Sequence, residues 1–445
     1  MREGLTLEAT STALPDPSVL GAPAPAANTR WFAPILAVQF IGTLGYSIAI
    51  PFLVFLVTDF GGAAWTFGFV GATYSVCQLI GAPILGRISD RLGRRPVLLA
   101  SQGGTMLAWL LFLVAFALPL RPLATIAGAT ITVPLLVVFA ARAFDGLTGG
   151  NISVASAYVA DRTEGNPTLR RVAFGRMAMA ASLGFAIGPA IAGLLGATRW
   201  GYVAPVAAAA VISGIATVLC LRLDEPRSRC AQGPPPQPTV TRVLGQQQLR
   251  CDRPAEPVPT AALRRPLVVA LLVATFVLFL SFNFFYVGFP VHAQQVLGWD
   301  AGAMGGFFAI MSGAMIVAQG PLLKAATRAW SPAVVFAVGT AALCASFLAF
   351  SVPSTPVVFA GALLFAVGNG LSWPTFQSRL ADVAGPEAQG AVQGMATSVG
   401  AAASIVGLVV GGIFYPVVGV GIFAVGALGF AGLVLGTRRW FRVDA

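Results

Sequence analysis

Long apolar runs alternate with short polar connections along this chain. Twelve runs recur, at about 31–57, 65–85, 96–119, 132–161, 172–197, 202–222, 266–290, 300–323, 332–351, 356–381, 388–413 and 417–437. Each is long enough for an α-helix to cross about 30 Å of hydrocarbon. Glycine and proline are scattered through these runs, a pattern that weakens helices in water but is tolerated where helices pack inside a bilayer. The pattern predicts an all-α membrane protein with twelve transmembrane helices.

Composition removes the soluble alternative: 57% of the 445 residues are hydrophobic and the mean hydropathy is +0.82, which leaves too little polar surface for a water-soluble chain. Net charge is +11, and 24 of the 27 Lys and Arg residues fall in connections on one side of the predicted spans. Basic charge so distributed reads as topology, with both termini cytoplasmic in a multi-pass protein of the cell inner membrane, and not as a nucleic-acid surface. Residues 1–30 lack the charged start, apolar centre and cleavage site of a signal peptide and read as a disordered cytoplasmic tail. Residues 223–264 are rich in Pro, Gln and Arg and read as a disordered linker. It separates a first six-helix bundle, 31–222, from a second, 265–437, followed by a short tail, 438–445. Two pseudo-symmetric six-helix bundles are one of the layouts built from repeated halves in secondary transporters. The five cysteines have no metal-type spacing and are expected as free thiols.

Weak internal repeats support two related halves. GLTGGNISVASAYVAD leads into GRMAMAASLGFAIGPAIAGLLG, and GLSWPTFQSRLADVAG leads into GAVQGMATSVGAAASIVGLVVGGIFY. Charge is concentrated in GRISDRLGRRPVLL, where Gly86, Asp90, Arg91, Gly93, Arg94 and Arg95 punctuate the connection after span 2. Arginines there fix topology and sit among lipid phosphates. Asp90 does neither, so it predicts a specific pairing, and Asp161, closing span 4, is the expected partner of Arg94. These residues, Arg142 in ARAFDGLTGGN, and Gly184, Gly188, Pro189 and Gly193 in span 5 together resemble the major facilitator superfamily over nearly the whole chain outside tail and linker. The resemblance implies the major facilitator fold, with Asp90 facing the start of span 11 and the charged cluster acting as a latch that joins the halves on the cytoplasmic face while the outer side is open. The span-5 glycines have two readings: close helix packing, or the motif associated with antiporters.

Arg142 and Asp145 stand three apart in the middle of span 4, hence on one face. Each alone would cost about 2.5–3.5 kcal/mol near the bilayer centre. Two readings stand here as well: a static ion pair, or proton coupling through Asp145 while Arg142 tunes it or contacts an anionic group. Gly149, Ser153 and Ser156 continue that face and predict a polar stripe toward a cavity, whereas Asn151 faces away and predicts a helix–helix hydrogen bond. Helical spacing also nominates Gln39, Thr43 and Tyr46 in span 1, Asn283 and Tyr286 in span 7, and Asn369, Trp373 and Gln377 in span 10 as cavity residues. His292 is expected exposed at the outer end of span 7, and Trp299 and Tyr415 as interface anchors.

Within the superfamily, AYVAD, ASIVGLVVGGIFY and WPTFQSRLADVAGPEAQGAVQG are similar to tetracycline/proton antiporters and related multidrug exporters. Gly42, Ala108 and Met315 stand where those antiporters carry two acids and a histidine, so oxygen and nitrogen ligands for a magnesium–tetracycline chelate are missing. The resemblance implies alternating access and proton-coupled efflux of hydrophobic or amphipathic small molecules by a monomer. An importer or symporter of a polar metabolite, and a receptor or scaffold on the same fold, remain open. No nucleophile–base pair, metal cluster or phosphate loop is present in the sequence, so neither an enzyme, nor ATP drive, nor a cofactor is expected.

Overall fold

The computed structural model describes residues 31–149, 151–163, 166–225 and 265–441. The predicted tail 1–30, most of the linker and the last four residues lie outside them, as do Cys230 and Cys251 and the side chains of Tyr46, Asn151 and residues 384–391. Eleven helices among the described residues are long and apolar enough to cross a membrane. The helix Phe32–Asp59, 28 residues or about 42 Å long, is consistent with a twelfth. The spans are α1 (Phe32–Asp59), α2 (Ala64–Leu92), α3 (Arg94–Ala117), α4 (Val133–Arg162), α5 (Pro167–Gly196) and α6 (Val203–Cys220). In the second half they are α7 (Pro266–Gln295), α8 (Gly302–Ala329), α9 (Pro332–Phe350), α10 (Thr355–Val383), α11 (Gly394–Val418) and α12 (Gly421–Trp440).

Three local features depart from the sequence expectation. The residues between α3 and α4 form an antiparallel hairpin, β1 (Pro122–Ile126) and β2 (Ala129–Thr132). Its turn places both Ala127 and Gly128 at positive φ, 46° and 78°, the geometry that matches the strand twist in two-residue hairpins. The hairpin caps the α1–α2 turn, with Trp65 Nε1 donating to the Ala127 carbonyl and Thr132 Oγ1 to the Phe60 carbonyl. α4 is interrupted: its helical pieces are Val133–Thr148 and Asn151–Arg162. α8 contains a wide turn at Ala318–Leu322, around Pro321.

Helical backbone runs without a break from Thr355 to Val418, yet α10 and α11 are separate crossings. Phe285 meets Phe365 and Phe279 meets Trp373, so α10 runs against α7. The Cβ positions of Gly400 and Gly411 face Phe279 and Phe284, so α11 runs with α7 and the chain reverses between them.

The two halves are built differently inside. The second is a stack of phenylalanines, with Phe285 over Phe365 at 4.7 Å and Phe289 over Phe307 at 4.3 Å. Interlocked rings bury large area in few rotamers and stiffen that bundle. His292 lies inside this half at 0% exposure, edge-on to Phe423, which corrects the expected exposed position. Trp299 and Tyr415 are likewise buried.

Across the halves, α2 lies along α11 and α5 along α8, two crossings that exchange under the pseudo-twofold relation of the bundles. One end of the molecule gathers the arginines of the α2–α3 and α4–α5 connections; the other is arginine-poor.

Candidate functional site

The charged motif folds as a cap on the arginine-rich end of the first half. Gly93, at φ 101°, turns the chain sharply between α2 and α3, a conformation that favours glycine. Arg94 then bridges two acids, Nη1 to Asp90 at 2.6 Å and Nε to Asp161 at 2.8 Å, while Nη1 also donates to Ser89 Oγ. The expected pairing of Arg94 with Asp161 is therefore present. Sequence reasoning missed Glu225, whose carboxylate accepts from the backbone N–H groups of Arg94 and Arg95 at 2.6 and 2.9 Å. Two free N–H groups at a helix start, backed by its dipole, are a natural seat for a carboxylate. Arg95 Nη2 donates to the Leu221 carbonyl, and Tyr158 Oη and Arg162 Nη2 to that of Asp224. Residues 221–225, with Leu223 buried, thus pack on the first bundle. Glu225→Ala is expected to remove about 1 kcal/mol of helix capping, read as a lower melting temperature of purified protein, with Glu225→Asp in between.

The contacts of this cluster all form within the first half. Asp90, Arg94, Asp161 and Glu225 all belong to the first half, and their ion pairs are formed while the halves stand apart at that end. Gly86 in α2 and Gly394 in α11 each have nothing within 4 Å of a would-be Cβ, and the same holds for Gly175 in α5 and Gly320 in α8. At the arginine-poor end the same four helices touch: Gly193 packs on Gly305, and Gly68 on Gly412 and the Leu408 carbonyl. Gly193 thus joins the two halves, whereas Gly184 and Gly188 pack against Phe40 and Ser47 of α1, and Ser47 Oγ donates to the Gly184 carbonyl at 3.1 Å. Pro189, within the same helix, is buried.

Between these ends, at the interface of the halves, lies a cavity of about 340 Å³. α1 contributes Thr43; α2 Gly71 and Tyr74; α4 Arg142; α5 Ser182 and Phe185. From the second half come Phe279, Phe282, Asn283 and Tyr286 of α7, Met315 and Gln319 of α8, Asn369 and Trp373 of α10, and Ser404 and Leu408 of α11. Phe185 meets Tyr286 edge-on across the halves at 6.0 Å, and Asn283 Nδ2 donates to Ser404 Oγ at 3.0 Å.

Of the expected cavity residues, Thr43, Asn283, Tyr286, Asn369 and Trp373 line it. Gln39 is buried within the first half and Gln377 lies off the wall. The stripe of Gly149, Ser153 and Ser156 also misses the wall, because the break after Thr148 ends the regular helical face. Tyr74, Phe185, Met315 and Gln319 were not anticipated. Only the four-residue spacing of Met315 and Gln319 was a signal for them.

Arg142 and Asp145 are 2% and 4% exposed. Nη1 of Arg142 reaches Oδ2 of Asp145 at 3.3 Å, and the Thr105 hydroxyl hydrogen-bonds the same carboxylate. The guanidinium carbon lies 5.7, 5.2 and 5.1 Å from the ring centroids of Tyr74, Trp109 and Phe112, an arrangement that favours the cation without neutralising it. Arg142 forms part of the cavity wall and Asp145 stands behind it.

The chain matches the family model of the Major Facilitator Superfamily over residues 35–408. The chain belongs to the major facilitator superfamily. It is thus a multi-pass membrane transporter of that superfamily, whose members carry small molecules through a site between two helical bundles. Among its relatives, the tetracycline resistance protein, class C, of Escherichia coli is 26% identical over 84% of this chain and 86% of its own length. The class G protein of Vibrio anguillarum is 29% identical over 84% and 88%. In three dimensions this superfamily member resembles the D-xylose-proton symporter, with a TM-score of 0.64 and 14% identity over 93% of this chain and 98% of that one. It also resembles the human organic anion transporter MFSD10, with a TM-score of 0.61 and 19% identity over 93% and 100%. At those identities the structural likeness establishes the fold.

Proposed function

We propose that this transporter exports amphipathic aromatic small molecules across the inner membrane by alternating access, coupled to protons through Asp145. One observation carries the reading: the central cavity between the halves is closed at the arginine-poor end, and its wall includes Arg142 of the Arg142–Asp145 pair, the one ion pair in the middle of a span among the described residues. A buried ionisable pair with one member on the wall of such a cavity is expensive to build, which is the usual mark of an ion or proton pathway. The tetracycline resistance relatives support export of a drug-like molecule. Gly42, Ala108 and Met315 replace the ligands a metal chelate would need, and Met315 lies on the cavity wall as a thioether, so the cargo is recognised without a metal.

The positive-inside rule makes the arginine-rich end cytoplasmic, with both termini on that side. The conformation described above is then the cytoplasm-open one. In the alternate pose α11 closes onto the Asp90–Arg94–Asp161 cap, so the pre-formed ion pairs serve as a docking platform. The cavity is complete within one chain, and the monomer is the transport unit.

Inverted membrane vesicles energised by a pH gradient test the proposal with a fluorescent aromatic compound to which a deletion strain is hypersensitive. Wild-type vesicles are expected to accumulate it, and Trp373→Ala to lower the rate at least tenfold, roughly the contribution of a lost aromatic contact. Release of the compound from loaded vesicles on energising would reverse the assigned direction.

A further inference from the structure

The wall of the cavity carries a charge asymmetry that selects its ligand. Arg142 is on the wall and Asp145 is not. Among the described residues, every other Asp, Glu, Lys and Arg stands in a connection or toward a helix end. A guanidinium has five N–H donors; Asp145 engages one nitrogen through a long 3.3 Å contact, and Nε is buried with no hydrogen-bond partner among the described residues. A donor left unpaired in a low-dielectric site is costly unless something supplies an acceptor. Opposite it, the rings of Phe185, Tyr286, Phe279 and Trp373 offer flat apolar faces, and Asn369 and Gln319 add amides.

Resting on the reading of this cavity as the transport site, we propose that it takes aromatic molecules bearing a carbonyl, phenolate or carboxylate acceptor that docks on Arg142, and discriminates against cations. A cationic ligand would lose its hydration, meet the guanidinium, and find no carboxylate on the wall. An acceptor meets the part of the guanidinium that forms the wall, with the Asp145 contact behind it. The volume of about 340 Å³ lies at the small end of ligand pockets and suits two or three fused rings.

Equilibrium binding in nanodiscs, with empty nanodiscs as the partition blank, tests this using three probes that share one ring system: 2-naphthoate, 2-naphthamide and (2-naphthylmethyl)trimethylammonium. The ammonium is expected to bind at least about tenfold more weakly than either of the others, because like charges a few ångströms apart in a partly desolvated site repel by more than one decade of affinity. The neutral double variant Arg142→Gln/Asp145→Asn, which leaves no unpaired buried charge, is expected to erase that difference. Equal or tighter binding of the ammonium overturns the charge preference, as does a ratio unchanged in the double variant or no binding of any probe. Trp373→Ala separates the two proposals. If probe binding falls in this variant but the charge order is reversed, only the preference fails. If binding is indifferent to the substitution, the cavity fails as the site.

Discussion

Gly193→Leu is expected to stop transport with the arginine-poor end held open, and Gly175→Leu to stop it with the arginine-rich end held open. The physical basis is one face of α5. The two glycines are 18 residues apart, about five turns, and so point the same way. At Gly193 a Cβ would run into the backbone of Gly305, which cannot move aside as a side chain could; at Gly175 it meets nothing within 4 Å. Gly412 and Gly394 in α11 repeat the relation, and so do Gly68 and Gly86 in α2, each pair again 18 apart with one member in contact and the other open. Glycine here permits helices to approach at whichever end is closed. Forcing a large side chain between backbones costs about 1–3 kcal/mol or more, so each pose is disfavoured on the order of 10–100-fold. Gly175→Leu should leave the melting temperature unchanged, because nothing occupies that space in this pose. Single cysteines at the two mouths, labelled with a membrane-impermeant maleimide, give the readout: reactivity rises at the arginine-poor mouth in Gly193→Leu only. Wild-type transport by either variant would refute the rocking of these faces.

Arg142→Ala is expected to produce the largest loss of stability of any single substitution in the first half. Removing one partner of a buried pair leaves an uncompensated charge, at a cost of about 3–5 kcal/mol, and Asp145 at 4% exposure has only Thr105 left. Asp145→Asn should cost less, because the Arg142 cation keeps its three rings. The double variant Arg142→Gln/Asp145→Asn should recover much of the loss, since no charge then remains buried. Thermal unfolding of the purified variants gives the order. Function separates differently: Asp145→Asn is expected to retain substrate exchange between equal compartments while losing accumulation driven by a pH gradient. Full gradient-driven accumulation by Asp145→Asn would leave the pair a structural element only.

Much of the architecture was legible in the residues. Span lengths, the charged connection after α2 and the pairing of Arg94 with Asp161 follow from hydropathy and from the cost of an unexplained acid among arginines. The β-hairpin was readable too, since LATIAGATIT alternates around an Ala-Gly turn, but a short β segment is easily passed over between long helices. Glu225 was not readable: its partners are backbone N–H groups some 130 positions away, and no side-chain pattern announces a helix start as an acceptor site. Half-right readings cluster in the cavity. Helical spacing puts Gln39 and Thr43 near one face of α1, yet Gln39 is buried within the protein and only Thr43 reaches the cavity.

The amino-acid order by itself therefore determined which segments cross the bilayer, which end collects the arginines, and which single pair of charges must be buried together, because each of these is dictated by transfer energies that act residue by residue. Only the tertiary structure decided which helix faces meet, that Arg142 and not Asp145 looks into the cavity, and that the charged cap is formed while the halves are apart. Those outcomes depend on how two bundles pack against each other, and packing is a property of surfaces drawn from distant parts of the chain.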